Sequence, residues 1–393
     1  MIRRVRVRNF KSLNDIAVEL GPRNVIVGRN MTGKSNFISL FRFLTQMVSP
    51  AAGVFGLPNA VNQSGGFSEL AWKGADTNII SIALEGDFVG LPQEGDEETW
   101  AYALDFVSDG RGNVVVQEER LIFAGPSGEH AVVRKDLDTG RRVLASRNRG
   151  IVSEVLDANR SALEFEIPEW EGNRIRKLFA TFRFYNLIPA LMKQANTLAV
   201  PYFLEELGGN FSSWMLRLQT QYQEYFQKIT LAAKSVFPEI AGVFTIPTQQ
   251  STILFASSEH HLKRPVPMWQ MSDGELCLLA WLSLIFCPTE MGAPAYFIEE
   301  PENHLHPRAI EALLGLLDQV QSELGSNRAQ IVTTTHSLAL VDRASLKDLI
   351  VFEKQRGATV CTRPGEKEHL KELLSRQEVG LGDLYYAGAL GRD

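Results

Sequence analysis

A glycine-rich octapeptide near the N-terminus has the composition of a phosphate-binding loop. Residues 28–35 fit the pattern G-x-x-x-x-G-K-[ST] without a mismatch. Glycines allow backbone N–H groups to converge on phosphate oxygens, and the lysine can reach the outer phosphates of a nucleotide. The serine hydroxyl can bind magnesium. The candidate nucleotide-binding residues in and directly after this loop are Gly28, Arg29, Asn30, Met31, Thr32, Gly33, Lys34, Ser35 and Asn36.

Two adjacent carboxylates, Glu299 and Glu300, follow a short apolar segment at residues 295–298. Carboxylates at the end of a buried strand are costly unless they hold a cation or polarise a water molecule. One carboxylate beside a metal and one acting as a general base would account for both residues. The alternative is a solvated acidic turn, which Pro301 favours. The presence of Lys34 in the same chain favours the catalytic interpretation.

Two further motifs lie in the C-terminal third of the chain. Ser272 and Glu275 have the S-x-x-E spacing of a capping box, which predicts the start of the apolar helix that follows. His336 comes directly after an apolar segment and three threonines. A lone histidine after a strand is more often structural than functional, so its position alone leaves both interpretations open.

The elements around these motifs predict an α/β protein with a wound sheet covered by helices. A strand precedes the phosphate-binding loop and a helix follows it, which is the context that such a loop needs. The periodicities predict strands at 2–10, 24–27, 252–256, 295–299, 329–335 and 348–353, an antiparallel meander between 79 and 165, and helices at 35–47, 169–195, 210–236, 273–287, 307–324 and 338–342.

The candidate site residues lie in two widely separated parts of the sequence, so a large insertion must leave and re-enter one domain. We expect residues 1–85 and 240–393 to form one nucleotide-binding lobe with a mixed sheet. Residues 86–239 would form the insertion, an antiparallel β-meander followed by a helical arm.

Composition excludes several classes of protein. The chain has 393 residues and a net charge of −6, so no global basic field attracts it to nucleic acid or to acidic lipid. Its three cysteines have neither a disulfide nor a zinc spacing, which fits a reducing cytoplasm. The longest apolar run, residues 276–287, is shorter than the ~20 residues that a bilayer requires. We therefore expect a cytoplasmic protein without a membrane partner.

The loop and its partner motifs resemble those of the RecF and SMC relatives of ABC ATPases. Asn30 and Asn36 give the loop the G-x-N-x-x-G-K-S-N form of that group. The whole chain resembles stand-alone predicted ATPases of the AAA_21 type, kin to RecF, SMC and the OLD ATPases. The other segments that carry this resemblance are Leu204–Glu206, Gly208–Asn210, Glu300–Asn303 and Gly380–Tyr385. The resemblance implies a P-loop NTPase of the ABC type that uses ATP and Mg²⁺.

The resemblance also implies roles for particular residues. Lys34 would contact the outer phosphates, Ser35 and Glu299 would hold magnesium, and Glu300 would orient or deprotonate the attacking water. Glu299 stands where most ABC relatives carry aspartate, but the Glu-Glu-Pro-Glu variant of this group matches it. His336 would be the switch histidine at the γ-phosphate. The remaining residues with implied roles are Ser272, Gly274 and Glu275 at the nucleotide of a second subunit, Asn303 at the dimer seam, Lys11 and Ser12 near the nucleotide, and Gln63 as a Q-loop candidate.

The function that follows is an ATP-hydrolysing switch that closes as a nucleotide-sandwich homodimer and controls an effector protein encoded nearby, or DNA. Relatives of this kind resemble parts of bacterial repair or antiphage modules. About 50 residues follow His336, which are too few for the Toprim nuclease domain of OLD proteins. An ATP-binding scaffold with little turnover and a transporter nucleotide-binding subunit are the alternatives. The densest basic stretch, Arg141, Arg142, Arg147 and Arg149, is better explained as a solvated hairpin face than as a nucleic-acid contact.

Overall fold

The computed structural model describes residues 1–49, 56–75, 77–88, 98–126, 128–136, 139–325, 329–366 and 380–391. Within these ranges the chain forms a mixed α/β structure with three sheets. The strands are β1 Ile2–Phe10, β2 Leu13–Glu19, β3 Arg23–Val27, β4 Ile79–Asp87, β5 Thr99–Ser108, β6 Val114–Gly125, β7 Gly128–Lys135, β8 Arg142–Ser146, β9 Gly150–Val155, β10 Arg183–Tyr185, β11 Asn196–Thr197, β12 Ile240–Pro247, β13 Thr252–Glu259, β14 Val266–Pro267, β15 Ala295–Glu299, β16 Gln330–Thr335, β17 Leu349–Gln355 and β18 Ala358–Thr362.

The helices are fewer and lie mostly in the second half of the chain. They are α1 Lys34–Val48, α2 Gly56–Gln63, α3 Phe67–Leu70, α4 Gly172–Ala180, α5 Pro189–Met192, α6 Phe211–Gln221, α7 Gln223–Val236, α8 Asp273–Ile285, α9 Pro307–Leu324, α10 Leu338–Arg343 and α11 Leu381–Tyr386. Among the described residues, no helix combines the length and the apolar composition that crossing a bilayer requires.

The largest sheet is antiparallel and has the strand order β2-β1-β4-β5-β6-β7-β8-β9. Val5 and Val7 of β1 are buried on one face while Arg6 and Arg8 are exposed on the other, as the alternation predicts. The predicted meander is confirmed, because β5 to β9 pair in chain order. The same sheet also contains β1, β2 and β4, so pairing is continuous across position 85.

The site-bearing sheet has six strands in the order β10-β15-β16-β3-β17-β18. The first five are parallel and β18 is antiparallel to β17. The parallel strands are buried and rich in apolar residues, as expected where helices cover both faces. β10 corrects the sequence prediction of helix throughout 169–195: Arg183–Tyr185 pairs with Tyr296–Ile298 of β15, and this long-range pairing overrides the local helical pattern.

Aromatic packing fixes α1 against this sheet. Phe41 stacks on Phe297 of β15 with ring centroids 4.3 Å apart, and Phe37 packs edge-on against Phe352 of β17 at 5.6 Å. All four rings are nearly inaccessible to solvent. Aromatic pairs in such geometries stabilise by about 0.5–1.5 kcal/mol beyond the area they bury. The helix that begins at the phosphate-binding loop is therefore held rigidly over the strands that carry the other motifs.

A second core forms around α8. This helix is buried along residues 276–283, which explains its apolar composition on every side. It packs against α6, α7 and the small sheet of β11, β12, β13 and β14. The indole of Trp214 on α6 donates a hydrogen bond of 2.9 Å to the Ser283 hydroxyl, so these two buried polar groups satisfy each other.

Candidate active site

Strand register brings the widely separated motifs to one edge of the six-stranded sheet. Val27 of β3 is paired with Thr335 of β16, and the adjacent Thr334 is paired with Glu299 of β15. The three segments that leave these strands are the phosphate-binding loop, the turn that begins at His336, and the acidic turn of residues 300–303. Because the carboxyl ends of parallel strands meet at the same edge, these segments become neighbours.

The phosphate-binding loop is braced from both sides. Thr359 of β18 donates a hydrogen bond of 2.8 Å to the carbonyl of Thr32 and lies 2.7 Å from the Ser12 hydroxyl. Asn36 donates to the same hydroxyl at 2.8 Å. Gly33 has a φ of 103°, and a Cβ atom there would overlap Thr359 and lie 2.6 Å from Ser12 Oγ. The loop conformation therefore requires glycine at this position.

Lys34 is buried within the loop. Its ammonium donates hydrogen bonds to the carbonyls of Gly28 at 2.7 Å and Arg29 at 3.3 Å. Burial lowers the pKa of Lys34, and the negative charges of Glu300 and Glu302 oppose that effect. Four other residues of the loop are exposed, namely Arg29, Asn30, Met31 and Ser35. The ammonium thus lies where backbone carbonyls and two carboxylates surround it.

The acidic turn holds His336 through Glu300. Glu300 Oε1 lies 3.1 Å from His336 Nδ1, and Asn303 Nδ2 donates to Glu300 Oε2 at 3.2 Å. An ionised carboxylate only accepts hydrogen bonds, so Nδ1 of the imidazole carries the proton. Glu300 adopts a φ of 47°, which is uncommon for a residue other than glycine and typical of sites where the surroundings dictate the conformation.

Glu302 is a further residue of the site, to which the sequence motifs assigned no role. Its Oε1 accepts hydrogen bonds from the Thr335 hydroxyl at 2.5 Å and from the His336 backbone N–H at 3.2 Å. Its Oε2 is buried and has no partner among the described residues. This carboxylate fastens the acidic turn to the end of β16. The sequence did contain a signal for this role, because Glu302 is a third acid only three residues after the end of β15.

Glu299 lies on the side of the site that faces α1. Its carboxylate is 3.6 Å from the guanidinium of Arg42. Lys11 is close enough that its pKa is lowered by burial and then by the charge of Arg42, while Glu299 raises it. The Lys11 ammonium donates to the Ser39 hydroxyl at 3.0 Å. Two cations and the Glu299 carboxylate therefore share this corner of the site.

The start of α8 has the predicted capping box. Ser272 Oγ accepts from the Glu275 N–H at 3.2 Å, and Glu275 Oε2 accepts from the Ser272 N–H at 2.7 Å. A Cβ atom on Gly274 would lie 2.8 Å from the carbonyl oxygen of His304, so the helix start presses against the segment after the acidic turn. In the described part of one chain, no hydrogen bond joins this helix start to the phosphate-binding loop.

Comparison with known proteins agrees with this geometry. The family model AAA_21, described as "AAA domain, putative AbiEii toxin, Type IV TA system", matches residues 23–342. The chain belongs to the AAA_21 family. Its fold is that of ABC-type ATPases, and a solved SMC head bound to the C-winged helix domain of ScpA matches it with a TM-score of 0.54, at 16% identity over 94% of this chain and 99% of that chain.

Two curated relatives extend the family assignment. An OLD nuclease of Thermus scotoductus is 23% identical over 97% of this chain and 68% of its own length. An ATP/GTP phosphatase of Helicobacter pylori is 21% identical over 90% of this chain and 89% of its own length. Family membership, the fold and the assembled motifs together make this AAA_21 chain an ATPase that binds and hydrolyses a nucleotide.

This AAA_21 site has few oxygen donors for magnesium, which is what a nucleotide-bound magnesium ion needs from the protein. Among the described residues, no cluster of three or more His, Cys, Asp or Glu side chains could hold a metal by itself. Mg²⁺ in nucleotide sites needs only one or two carboxylates, completed by phosphate oxygens and water. The Glu299 carboxylate and the Ser35 hydroxyl are oxygen donors of this kind, so these two residues fit the ion.

The remaining candidates lie elsewhere or have other partners. Gln63 is exposed at the end of α2. β15 lies between β10 and β16, and Asn186 directly follows β10. All four arginines of the basic hairpin are ion-paired. Arg141, Arg147 and Arg149 are exposed, as a solvated face predicts, but the Arg142 side chain is only 10% exposed because it pairs with the buried Glu119. The ion pairs are Arg141–Glu154, Arg142–Glu119, Arg147–Glu98 and Arg149–Glu169.

Proposed function

We propose that the chain is an ATP-driven switch in which Lys34 binds the outer phosphates, Glu300 is the general base for the attacking water, and His336 contacts the γ-phosphate. The observation that carries this proposal is the register of β3, β16 and β15, which lines up the ends of all three motifs. The contact of Glu300 with His336 supports it further, since a base must be oriented by a third group. We also propose that the protein acts in the cytoplasm.

Magnesium belongs to the same proposal. Ser35 and Glu299 would hold the ion, which neutralises charge that develops on the phosphates. Glu299 is mostly buried, and Ser35 is exposed at the start of α1. This arrangement suits two residues that bind the ion when it arrives together with the nucleotide. The backbone N–H groups of the loop and the helix N-terminus bind the phosphates independently of the metal.

The site is proposed to close by dimerisation. Ser272, Gly274 and Glu275 begin a helix whose N-terminus provides donors suited to an anion, as the phosphate-binding loop does. A second copy would present this helix start, with Asn303 at the seam, to the γ-phosphate held by the first. Residues 86–239, proposed as an insertion, include β10 of the site-bearing sheet. Through this strand they would pass closure on to an effector protein or to DNA.

The biological setting follows from relatives rather than from the site. The family description names a toxin–antitoxin system, and one relative is named a nuclease. We propose a role in bacterial defence or DNA repair, with an effector encoded nearby as the partner. DNA is the weaker candidate, because the arginines of the densest basic stretch are ion-paired.

Mixing two inactive variants tests the shared site. Lys34→Met disables the phosphate-binding loop and Ser272→Asp places a negative charge where the partner's γ-phosphate would lie. Each homodimer then lacks a competent site, whereas a mixed dimer contains one intact loop facing one intact helix start. Random mixing predicts recovery of about a quarter of wild-type turnover, because half the dimers are mixed and each has one good site of two.

Two results decide between the hypotheses. Recovery in the mixture supports the shared site, with each variant alone and the wild type as references. If both variants remain folded, Ser272→Asp binds nucleotide and the mixture forms dimers but stays inactive, the site is not shared between chains and the dimer proposal is wrong. A wild-type protein that binds ATP without releasing phosphate would instead identify the scaffold alternative.

A further inference from the structure

Arg42 lies between two carboxylates that come from distant parts of the chain. Its Nη2 atom is 2.5 Å from Glu206 Oε1 and 3.6 Å from Glu299 Oε1. The guanidinium also stacks on the ring of Phe184 with 5.0 Å to the centroid. The side chain of Arg42 is 30% exposed and that of Glu299 is 16% exposed, so solvent screens these charges only in part.

Glu206 is held firmly in the position from which it reaches Arg42. The carbonyl of Glu206 accepts from the Asn186 N–H at 3.0 Å, and the next carbonyl, of Leu207, accepts from the Ile188 N–H at 3.1 Å. Asn186 continues β10, the strand adjacent to β15. The loop that contains Glu206 is therefore bound to the same sheet that carries Glu299, and its distance from Arg42 is set by the fold.

We propose that Glu206 and Arg42 are positioning residues that set the affinity of Glu299 for the divalent cation of the bound nucleotide. This inference rests on the proposed function, in which Glu299 is a metal ligand. Arg42 competes with the cation for the Glu299 carboxylate, because both are positive partners of the same oxygen atoms. Glu206 offsets that competition by binding Arg42 at the shorter distance.

The two residues therefore act in opposite directions. Without the charge of Glu206, Arg42 pairs more fully with Glu299 and the cation binds more weakly. Without Arg42, only Lys11 remains as a positive neighbour of Glu299, and the divalent cation binds more tightly. A change of about two- to fivefold in affinity corresponds to roughly 0.4–1 kcal/mol, which lies within the range of partly exposed ion pairs of this kind.

The measurement is Mn²⁺ binding by electron paramagnetic resonance, in the presence of saturating non-hydrolysable ATP analogue. We expect about two- to fivefold weaker binding in Glu206→Gln and about two- to fivefold tighter binding in Arg42→Met. Glu205→Gln is the matched control, since it removes the same charge from an exposed neighbour that has no ion pair with Arg42 among the described contacts. Arg42→Lys keeps the charge and should bind Mn²⁺ as wild type does.

The double variant separates positioning from simple charge. If Glu206 acts through Arg42, Glu206→Gln has little effect once Arg42 is methionine; a through-space charge effect would persist in that background. Shifts in the same direction for the two single variants, or no shift in Glu206→Gln, would overturn the inference. If Glu299→Gln leaves wild-type Mn²⁺ binding unchanged, the metal assignment in the proposed function is itself wrong. Should Arg42→Met fail to fold, Glu206→Gln with its control still decides the matter.

Discussion

The Glu300 carboxylate accepts a hydrogen bond from His336 Nδ1 at 3.1 Å, and this contact joins the segments that follow β15 and β16. Its second oxygen accepts from Asn303. Each oxygen of the proposed base therefore accepts one hydrogen bond from a neighbouring side chain. A carboxylate oxygen has two lone pairs, so each can still accept a hydrogen bond from the attacking water while His336 and Asn303 hold the carboxylate in place.

Replacement of Glu300 by glutamine should abolish turnover while nucleotide binding remains. Glutamine keeps the size and the hydrogen-bond acceptor but cannot take a proton, and loss of a general base typically costs about 10²–10⁴-fold in rate. Phosphate release and binding of a fluorescent ATP analogue measure the two properties. Glu290→Gln, at an exposed glutamate in a short 3₁₀ helix, is the control. Turnover at the wild-type rate would remove Glu300 from the mechanism.

Gly33 and Gly128 offer a matched pair of substitutions. Their φ values are 103° and 102°, but a Cβ atom at Gly128 meets nothing within 4 Å, whereas one at Gly33 overlaps Thr359. Alanine at either position carries the backbone strain, and only Gly33→Ala adds overlap. We expect Gly33→Ala to be less stable than Gly128→Ala by about 1–3 kcal/mol in denaturant titrations. Equal stability would show that the contact with β18 does not constrain the loop.

Ser272 can be tested as a cap and as a ligand separately. Aspartate is as good an N-cap as serine, so Ser272→Asp should retain the thermal stability of the wild type, while Ser272→Ala should lose about 1 kcal/mol. Only the aspartate adds charge at the proposed phosphate contact. We expect Ser272→Asp to weaken ATP-dependent dimerisation, which light scattering measures. The mixing experiment is therefore done at protein concentrations at which this variant still dimerises. A dimer that tolerates aspartate here would place Ser272 away from the nucleotide.

The thiols of Cys277 and Cys287 should resist alkylation in the folded protein. Burial raises the pKa of each thiol to about 12. At pH 8 the thiolate fraction is therefore about a thousandth of that in the unfolded chain, and alkylation by iodoacetamide slows accordingly. Peptide mass spectrometry with and without guanidinium gives the comparison. Equal labelling in both conditions would contradict the burial.

The same thiols make stability depend on alkaline pH. A raised pKa in the folded state means that the contribution to stability is complete below the pKa of the unfolded thiol. It is lost progressively as the pH rises from there towards about 12. Denaturant midpoints measured through this range should fall with pH, and fall less in a Cys277→Ala, Cys287→Ala double variant.

The motifs of the site could be predicted from sequence because each is local. The loop at 28–35 and the pair Glu299–Glu300 can be recognised from their residue types and from the apolar strand that precedes each of them. Register then assembles them, and the boundaries predicted for β15 and α9 are those observed. The roles assigned to these residues and the division of the chain at 85 and 239 stay predictions.

The supporting residues could not be predicted, because their partners are distant in sequence. Arg42 has no local pattern that points to Glu206 or Glu299, and Thr359 meets Ser12 across 347 residues. The helix prediction at Arg183–Tyr185 was wrong for the same reason, since only pairing with β15 makes this segment a strand. Long-range pairing leaves no periodic signature in a single segment.

The central position of β3 has a consequence for synthesis of the chain. Asn24 at its start donates a hydrogen bond to the carbonyl of Ile331, 307 residues further along. At translation speeds of about 5–20 residues per second, β3 waits roughly 15–60 seconds for that neighbour to leave the ribosome. During this interval the edge of β3 that pairs with β16 has no partner, although the strand is apolar and buried in the finished fold. Newly synthesised chains should therefore depend on chaperones. They should acquire nucleotide affinity only near the end of translation.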